Sequence, residues 1–323
     1  MHLRVLGSAA VIVAVVSIAA AVARRAAISS ATQPGTPALA TAALRTAPLP
    51  SVASGLGAAV ATDPAPLEPA SCPPEPALEV RVAELPPATE LLRLVKEKPE
   101  ALGSASLGSP TRGSLFGGVE MKDSEGILRA GAYGWGTERV IRSIERAVRE
   151  VRRCFPGSPP VYVGDIARER GGWLRPHRSH QSGLDADIGY YYRTPATWYQ
   201  HATAQNLDVA RTWALVRALV EGGNVEMIFM DVSVQRLVQA HIATLPQGAR
   251  PPEDLFESHA KKDTIIRHAW GHATHFHVRF QDPAAVALGQ RLADILPRFR
   301  APRRAPARSA PRAPKPARGA FKR

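Results

Sequence analysis

Apolar residues recur at helical spacing in three stretches of the chain. From Thr137 to Cys154, Val140, Ile141, Ile144, Val148 and Val151 mark one face of an amphipathic helix whose outer face is basic. Pro156, Gly157, Pro159 and Pro160 stop it, and Val161-Tyr162-Val163 predicts a short strand. A second helix is predicted from about Val209 to Glu221, with Val209, Trp213, Val216 and Val220 inward and Gly222 as its terminator. A strand over Val225 to Met230 follows. A third helix, Val234 to Leu245, turns Val234, Leu237, Val238, His241 and Leu245 inward. His275 to Phe280 reads as a strand, and Asp282-Pro283 opens a last helix to about Leu296. Strands and helices mix without regular alternation, which predicts one α+β domain with a mainly antiparallel sheet flanked by helices.

The flanks differ in kind from this middle. Arg4 precedes an uncharged apolar run from Val5 to Ala23, closed by Arg24 and Arg25, so residues 1–25 read as an export signal or an uncleaved membrane anchor. Either puts the rest of the chain outside the cytoplasm, in the periplasm. Residues 26–83 have linker composition, rich in Ala, Pro and Thr, and order is expected to begin near Glu84. The domain then spans 84–298 and a basic tail 299–323.

Charge changes the picture only at that tail. The chain carries a formal +13, but eight basic residues and no acidic ones lie between Arg303 and Arg323, spaced by Pro and Ala. Such a segment cannot bury enough apolar surface to fold, and it can contact anionic envelope polymers or lipids by charge attraction. Nucleic-acid binding is not expected. An oxidising compartment makes a disulfide between the only two cysteines, Cys72 and Cys154, one reading; two unrelated thiols is the other. Oligomeric state is not legible.

Chemistry concentrates in two segments that hold six of the ten histidines. The first is His177-Arg-Ser-His180-Gln-Ser-Gly-Leu-Asp185-Ala-Asp187. Gly183 suggests a turn into a strand, where alternation would put Asp185 and Asp187 on one face. The second runs from His268 to His277; in its His272-Ala-Thr-His275-Phe-His277-Val-Arg-Phe string, alternation pairs His275 with His277 in the same way and sends Phe276 and Val278 to the core. Two histidines and one aspartate are a ligand set that suits a catalytic zinc with one open position.

These strings resemble the penicillin-insensitive murein endopeptidases, within the wider lysostaphin and D-alanyl-D-alanine metallopeptidase group, over roughly Gly136 to Phe280. The resemblance implies that His180, Asp187 and His277 bind one zinc and that His275 acts as the base beside it. It also implies that His272 assists the oxyanion or the leaving group. His177 would sit in a second-metal or outer position, but Tyr190 to Trp213 offers no aligned Asp and His to complete a second metal. Asp185 would be a supporting carboxylate. The implied substrate is peptidoglycan, cut at D-alanyl-type cross-links. Alternatives are a D-alanyl-D-alanine carboxypeptidase, with Arg168, Arg170, Arg175 and Arg178 as a cationic stop, or a zinc-stabilised wall-binding module without catalysis.

Other motifs are weaker. Ser258-x-x-Lys261 matches part of an acyl-serine signature, without its companion motifs. Gly131 to Gly136 has the wrong order for a dinucleotide loop. Trp173, Tyr190, Tyr191, Tyr192, Trp198 and Trp270 flank the histidine segments as core packing or as groove walls.

Overall fold

The computed structural model describes residues 72–79 and 84–299. The apolar leader, most of the linker and the basic tail lie outside the described residues. Among those described, no helix is long and apolar enough to cross a membrane.

The elements in chain order are α1 (Ala88–Glu97), β1 (Ala105–Ser109), β2 (Arg112–Phe116), β3 (Val119–Glu120), β4 (Ile127–Arg129), β5 (Trp135–Gly136), α2 (Glu138–Cys154), β6 (Val161–Val163), β7 (Asp185–Gly189), α3 (Val209–Glu221), β8 (Val225–Met230), α4 (Val232–Thr244), β9 (Ile266–His268), β10 (His275–Phe280) and α5 (Pro283–Ile295). Side-chain caps explain four of the helix starts, that of α4 by Asp231 accepting from the Ser233 amide. Thr137 accepts from the Val140 amide, Asp208 from Arg211 and Asp282 from Ala285, with Pro283 in the first turn of α5.

Six strands form one sheet in the order β4-β6-β7-β10-β8-β9. The three central pairings are antiparallel and the two outer ones are parallel. This is a mixed α+β domain, as the patterning predicts. On one face of β7 and β10, Ala186, Ile188, Phe276 and Val278 join a large core with the inward residues of α2, α3 and α4. A smaller core of Leu91, Ala105, Leu288 and Leu292 ties α1 and α5 to β1. Gly289 is needed there, since a Cβ would stand 2.0 Å from the Ser106 carbonyl oxygen.

Three details depart from the patterning. In α4 the buried apolar residues are Val234, Val238 and Ile242, while His241 and Leu245 are only partly covered. The face runs i, i+4, i+8, and Ile242 continues it where His241 does not. In α2, Arg146 is buried, not part of a basic outer face. It pairs with buried Glu150 and donates to the carbonyls of Glu75 and Ala218.

The third departure explains the second. Residues 72–79, inside the linker by composition, lie as an extended strap along α2. Cys72 and Cys154 form a disulfide, the Glu75 amide donates to Glu150 at 2.9 Å, and Arg139 donates to the Leu78 and Glu79 carbonyls. The strap gives the buried arginine a polar lid. Contacts that belong to the fold therefore begin upstream of Glu84.

Candidate metal centre

The antiparallel register of β7 and β10 builds the site. His277 lies directly opposite Asp187 and Arg279 opposite Asp185, so alternation collects acid and base on the face turned away from the core. Asp187 Oδ1 stands 3.0 Å from His277 Nδ1.

His180 completes a triangle from the turn before β7. Its backbone is left-handed at φ 64°, a conformation few side-chain-bearing residues adopt. Gly183, at φ 74°, closes the turn. Two bonds hold His180 there: its amide donates to Asp185 Oδ2 at 2.9 Å, and Nδ1 lies 3.0 Å from the Ile166 carbonyl. The carbonyl fixes the proton on Nδ1 and leaves the Nε2 lone pair free. That nitrogen is 3.3 Å from Asp187 Oδ1 and 3.0 Å from His277 Nδ1.

Three donor atoms thus stand 3.0–3.3 Å apart. The edge of a tetrahedron around zinc with ligand bonds of 2.0–2.1 Å is about 3.3–3.4 Å, so the set fits a tetrahedral ion with little movement. Behind these three donors, Asp185 faces His277 Nε2 at 3.3 Å and accepts from Arg279 Nε at 2.8 Å. A carboxylate on the far nitrogen of a ligand histidine is the usual support of a metal site.

His177 offers a competing arrangement. His177, His180 and Asp187 have ligand atoms within 4.8 Å of one another, and this His-His-Asp cluster can hold a metal ion. Its Nδ1, however, addresses the other carboxylate oxygen, 3.5 Å from Asp187 Oδ2, while Nε2 is held 3.1 Å from Asp165 Oδ2. The hydrogen bond to Asp165 raises the His177 pKa. The two triads share His180 and Asp187. His277 makes the tighter third member, because it meets the same oxygen as His180 and is braced by Asp185.

Electrostatics agree with a site built for a cation. Burial would raise both aspartates, but the imidazoles of His180 and His277 beside it hold Asp187 well below the carboxylate range, and His277 with Arg279 does the same for Asp185. His277 feels the converse: burial pulls it down, yet the two aspartates outweigh burial and lift it to about 9.

His275 is half-buried at the rim. Its Nε2 is 3.9 Å from Asp187 Oδ1, outside ligand spacing, and Nδ1 is 3.0 Å from the Thr274 hydroxyl. Burial lowers its pKa to about 4. Burial, then the neighbouring His277 charge, also lowers His272. His272 Nδ1 lies 3.2 Å and 3.1 Å from the Ala269 and Trp270 carbonyls, which can only accept, so this nitrogen carries the proton. His268 stays outside the cluster and accepts from the Val232 amide at the start of α4.

Asp165 and Tyr199 belong to the surroundings of the site and carry no motif. Tyr199 lies flat on His275, with ring centres 5.3 Å apart. Among the aromatic residues, Tyr190, Tyr191 and Tyr192 are buried, whereas Trp173, Trp198 and Trp270 are exposed. The Ser258-x-x-Lys261 match carries no catalytic pair: exposed Lys261 bonds Asp254 at 2.6 Å, and Ser258 Oγ accepts the Lys261 amide.

Residues 106–250 match the profile of the family described as penicillin-insensitive murein endopeptidase. The chain is also similar to the penicillin-insensitive murein endopeptidase of Haemophilus influenzae, 29% identical over 212 residues, which covers 58% of this chain and 67% of the relative. The resemblance read from the two histidine strings is borne out. The matched segment contains His177, His180 and Asp187, and β10 brings His275 and His277 alongside them.

Proposed function

We propose that this chain is a zinc-dependent endopeptidase that hydrolyses D-alanyl-type peptide cross-links in peptidoglycan. The observation that carries the reading is the triangle of His180 Nε2, Asp187 Oδ1 and His277 Nδ1, whose sides match a tetrahedral zinc. The family match and the similarity to a murein endopeptidase supply the substrate class. Export and a periplasmic location belong to the same proposal, as does contact of the basic tail with anionic envelope polymers.

His180, Asp187 and His277 would hold the zinc. When bound, zinc supplies Lewis-acid polarisation of the scissile carbonyl and eases deprotonation of a water. His275 does the proton work. It is neutral at physiological pH, and the Thr274 hydroxyl can accept a hydrogen bond from its Nδ1–H, which leaves Nε2 as an acceptor toward the site. It takes the proton of the attacking water and returns it to the leaving amine. His272, with its proton committed to carbonyl oxygens, presents a lone pair on Nε2. A lone pair suits the N–H of the leaving amine; donation to an oxyanion would need a second proton, which its lowered pKa opposes. Between the two roles the resemblance implied, the leaving-group side is the better fit.

A carboxypeptidase reading draws on Arg168, Arg170, Arg175 and Arg178, all exposed on the loop that leads into His177 and His180. Purified protein incubated with intact peptidoglycan, followed by mass spectrometry of the soluble fragments, separates the two. Loss of cross-linked dimers supports the endopeptidase. Release of D-alanine alone supports the carboxypeptidase, and no release at all leaves a wall-binding module.

A further inference from the structure

Among the described residues the His275 ring meets the Thr274 hydroxyl at Nδ1 and the tilted His272 ring with centres 5.2 Å apart, neither of which lies parallel to its plane. The torsion that turns an imidazole about its Cβ–Cγ bond is broad, and the single contact of Nδ1 with Thr274 anchors one edge. Yet a proton carrier must present Nε2 within a narrow range of directions, since displacement by about 1 Å can cost on the order of 10²-fold in rate.

Tyr199 supplies the missing constraint. Its ring is nearly parallel to that of His275, with an interplanar angle of 14° and centres 5.3 Å apart. Its hydroxyl donates to the Asp187 carbonyl at 3.2 Å, tying the phenol to the strand that carries the candidate ligand. Burial holds the phenol well above its ordinary pKa, so it remains a donor. The slot it occupies depends on two glycines. A Cβ on Gly164 would stand 2.3 Å from the Tyr199 hydroxyl, and one on Gly189 would stand 3.0 Å from Cε1 of the ring. Gly189 is the residue directly opposite His275 in the β7–β10 register, so the empty place across the ladder is where the tyrosine enters.

We propose that Tyr199 is a positioning residue that holds the His275 ring in its working orientation by stacking on it from the slot left by Gly164 and Gly189. The inference rests on His275 being the proton carrier, and it assigns the tyrosine no contact with substrate. The stack does the positioning, and the hydroxyl serves to seat the ring.

The test compares Tyr199→Leu with Tyr199→Phe. Tyr199→Leu should keep the wild-type zinc content and lower kcat by roughly 10–100-fold with little change in KM. Tyr199→Phe, which retains the ring, should recover most of that loss. A second measurement does not need turnover: in the metal-free protein, the ring-current displacement of the His275 carbon-bound proton resonances should be alike in wild type and Tyr199→Phe and clearly smaller in Tyr199→Leu, where only the His272 ring remains beside it. Equal damage in both variants, a loss confined to KM, or loss of zinc in Tyr199→Leu would overturn the proposal, as would undisplaced His275 resonances in wild type. If the wild type cleaves no cross-linked substrate, the proposed function fails, and the resonance comparison still decides whether the stack orients His275.

Discussion

Asp187 and His277 face each other across the central antiparallel ladder, and their Oδ1 and Nδ1 atoms are 3.0 Å apart. Two adjacent strands fix that distance, so the pair is in place before any ion arrives. His275, two residues along the same strand, shares the face but stops 3.9 Å short of the same oxygen.

That difference predicts a split between metal and rate. Asp187→Ala and His277→Ala should drop zinc from about one per chain to near zero by metal analysis. His275→Ala should keep its zinc and lose roughly 10²–10⁴-fold in turnover. Asp185→Asn removes the brace behind His277 and should weaken metal binding by about 10–100-fold. Full zinc in His277→Ala with loss in His177→Ala would instead select the triad built on His177.

A pH effect follows from His277. In the metal-free protein its pKa is about 9, so between pH 6 and 9 a proton occupies the nitrogen that a metal needs. Apparent zinc affinity should rise by up to about tenfold per pH unit over that range and level off above it. The raised pKa also stabilises the metal-free fold fully below the ordinary value of 6.5, and this contribution is lost as pH climbs through about 9. Competition with a chelator of known affinity measures the first effect. A pH-independent affinity after correction for the chelator would contradict it.

The tautomer of His272 predicts a dependence on the leaving group. His272→Ala should retain zinc and slow cleavage of an ordinary peptide by roughly 10²-fold or more. An activated anilide, whose amine departs with little help, should lose much less. Equal losses on both substrates would return His272 to the oxyanion.

For the strap, Cys154→Ser opens a link between residues 82 apart and should cost about 2–4 kcal/mol in denaturant unfolding. Glu150→Ala leaves the Arg146 charge buried without its acid and should cost about 3–5 kcal/mol. Wild-type unfolding that does not respond to reductant would show that the strap adds nothing.

Much of the frame around the site can be read from local pattern. The 3.6-residue period marks α2 and α3, and alternation puts Asp185 with Asp187 and His275 with His277. What escapes has no local signal. The β1–β2 hairpin is rich in Ser and Gly and shows weak alternation, so its pairing depends on α5 packing over it. Asp165 and Tyr199 reach the site through tertiary approach, across glycines whose value lies in what they omit. The strap has linker composition because its order comes from one disulfide and from arginines on another element.

The disulfide also sets a load path. Cys154 is the last residue of α2, and Cys72 is bonded to it directly. Tension applied to the chain ahead of Cys72 is carried covalently into the end of that helix, and none of it passes through α1 or the β1–β2 hairpin, which come later in sequence. In a reducing medium the same pull would act on the strap and begin by peeling Glu75 from Glu150, exposing the buried arginine first.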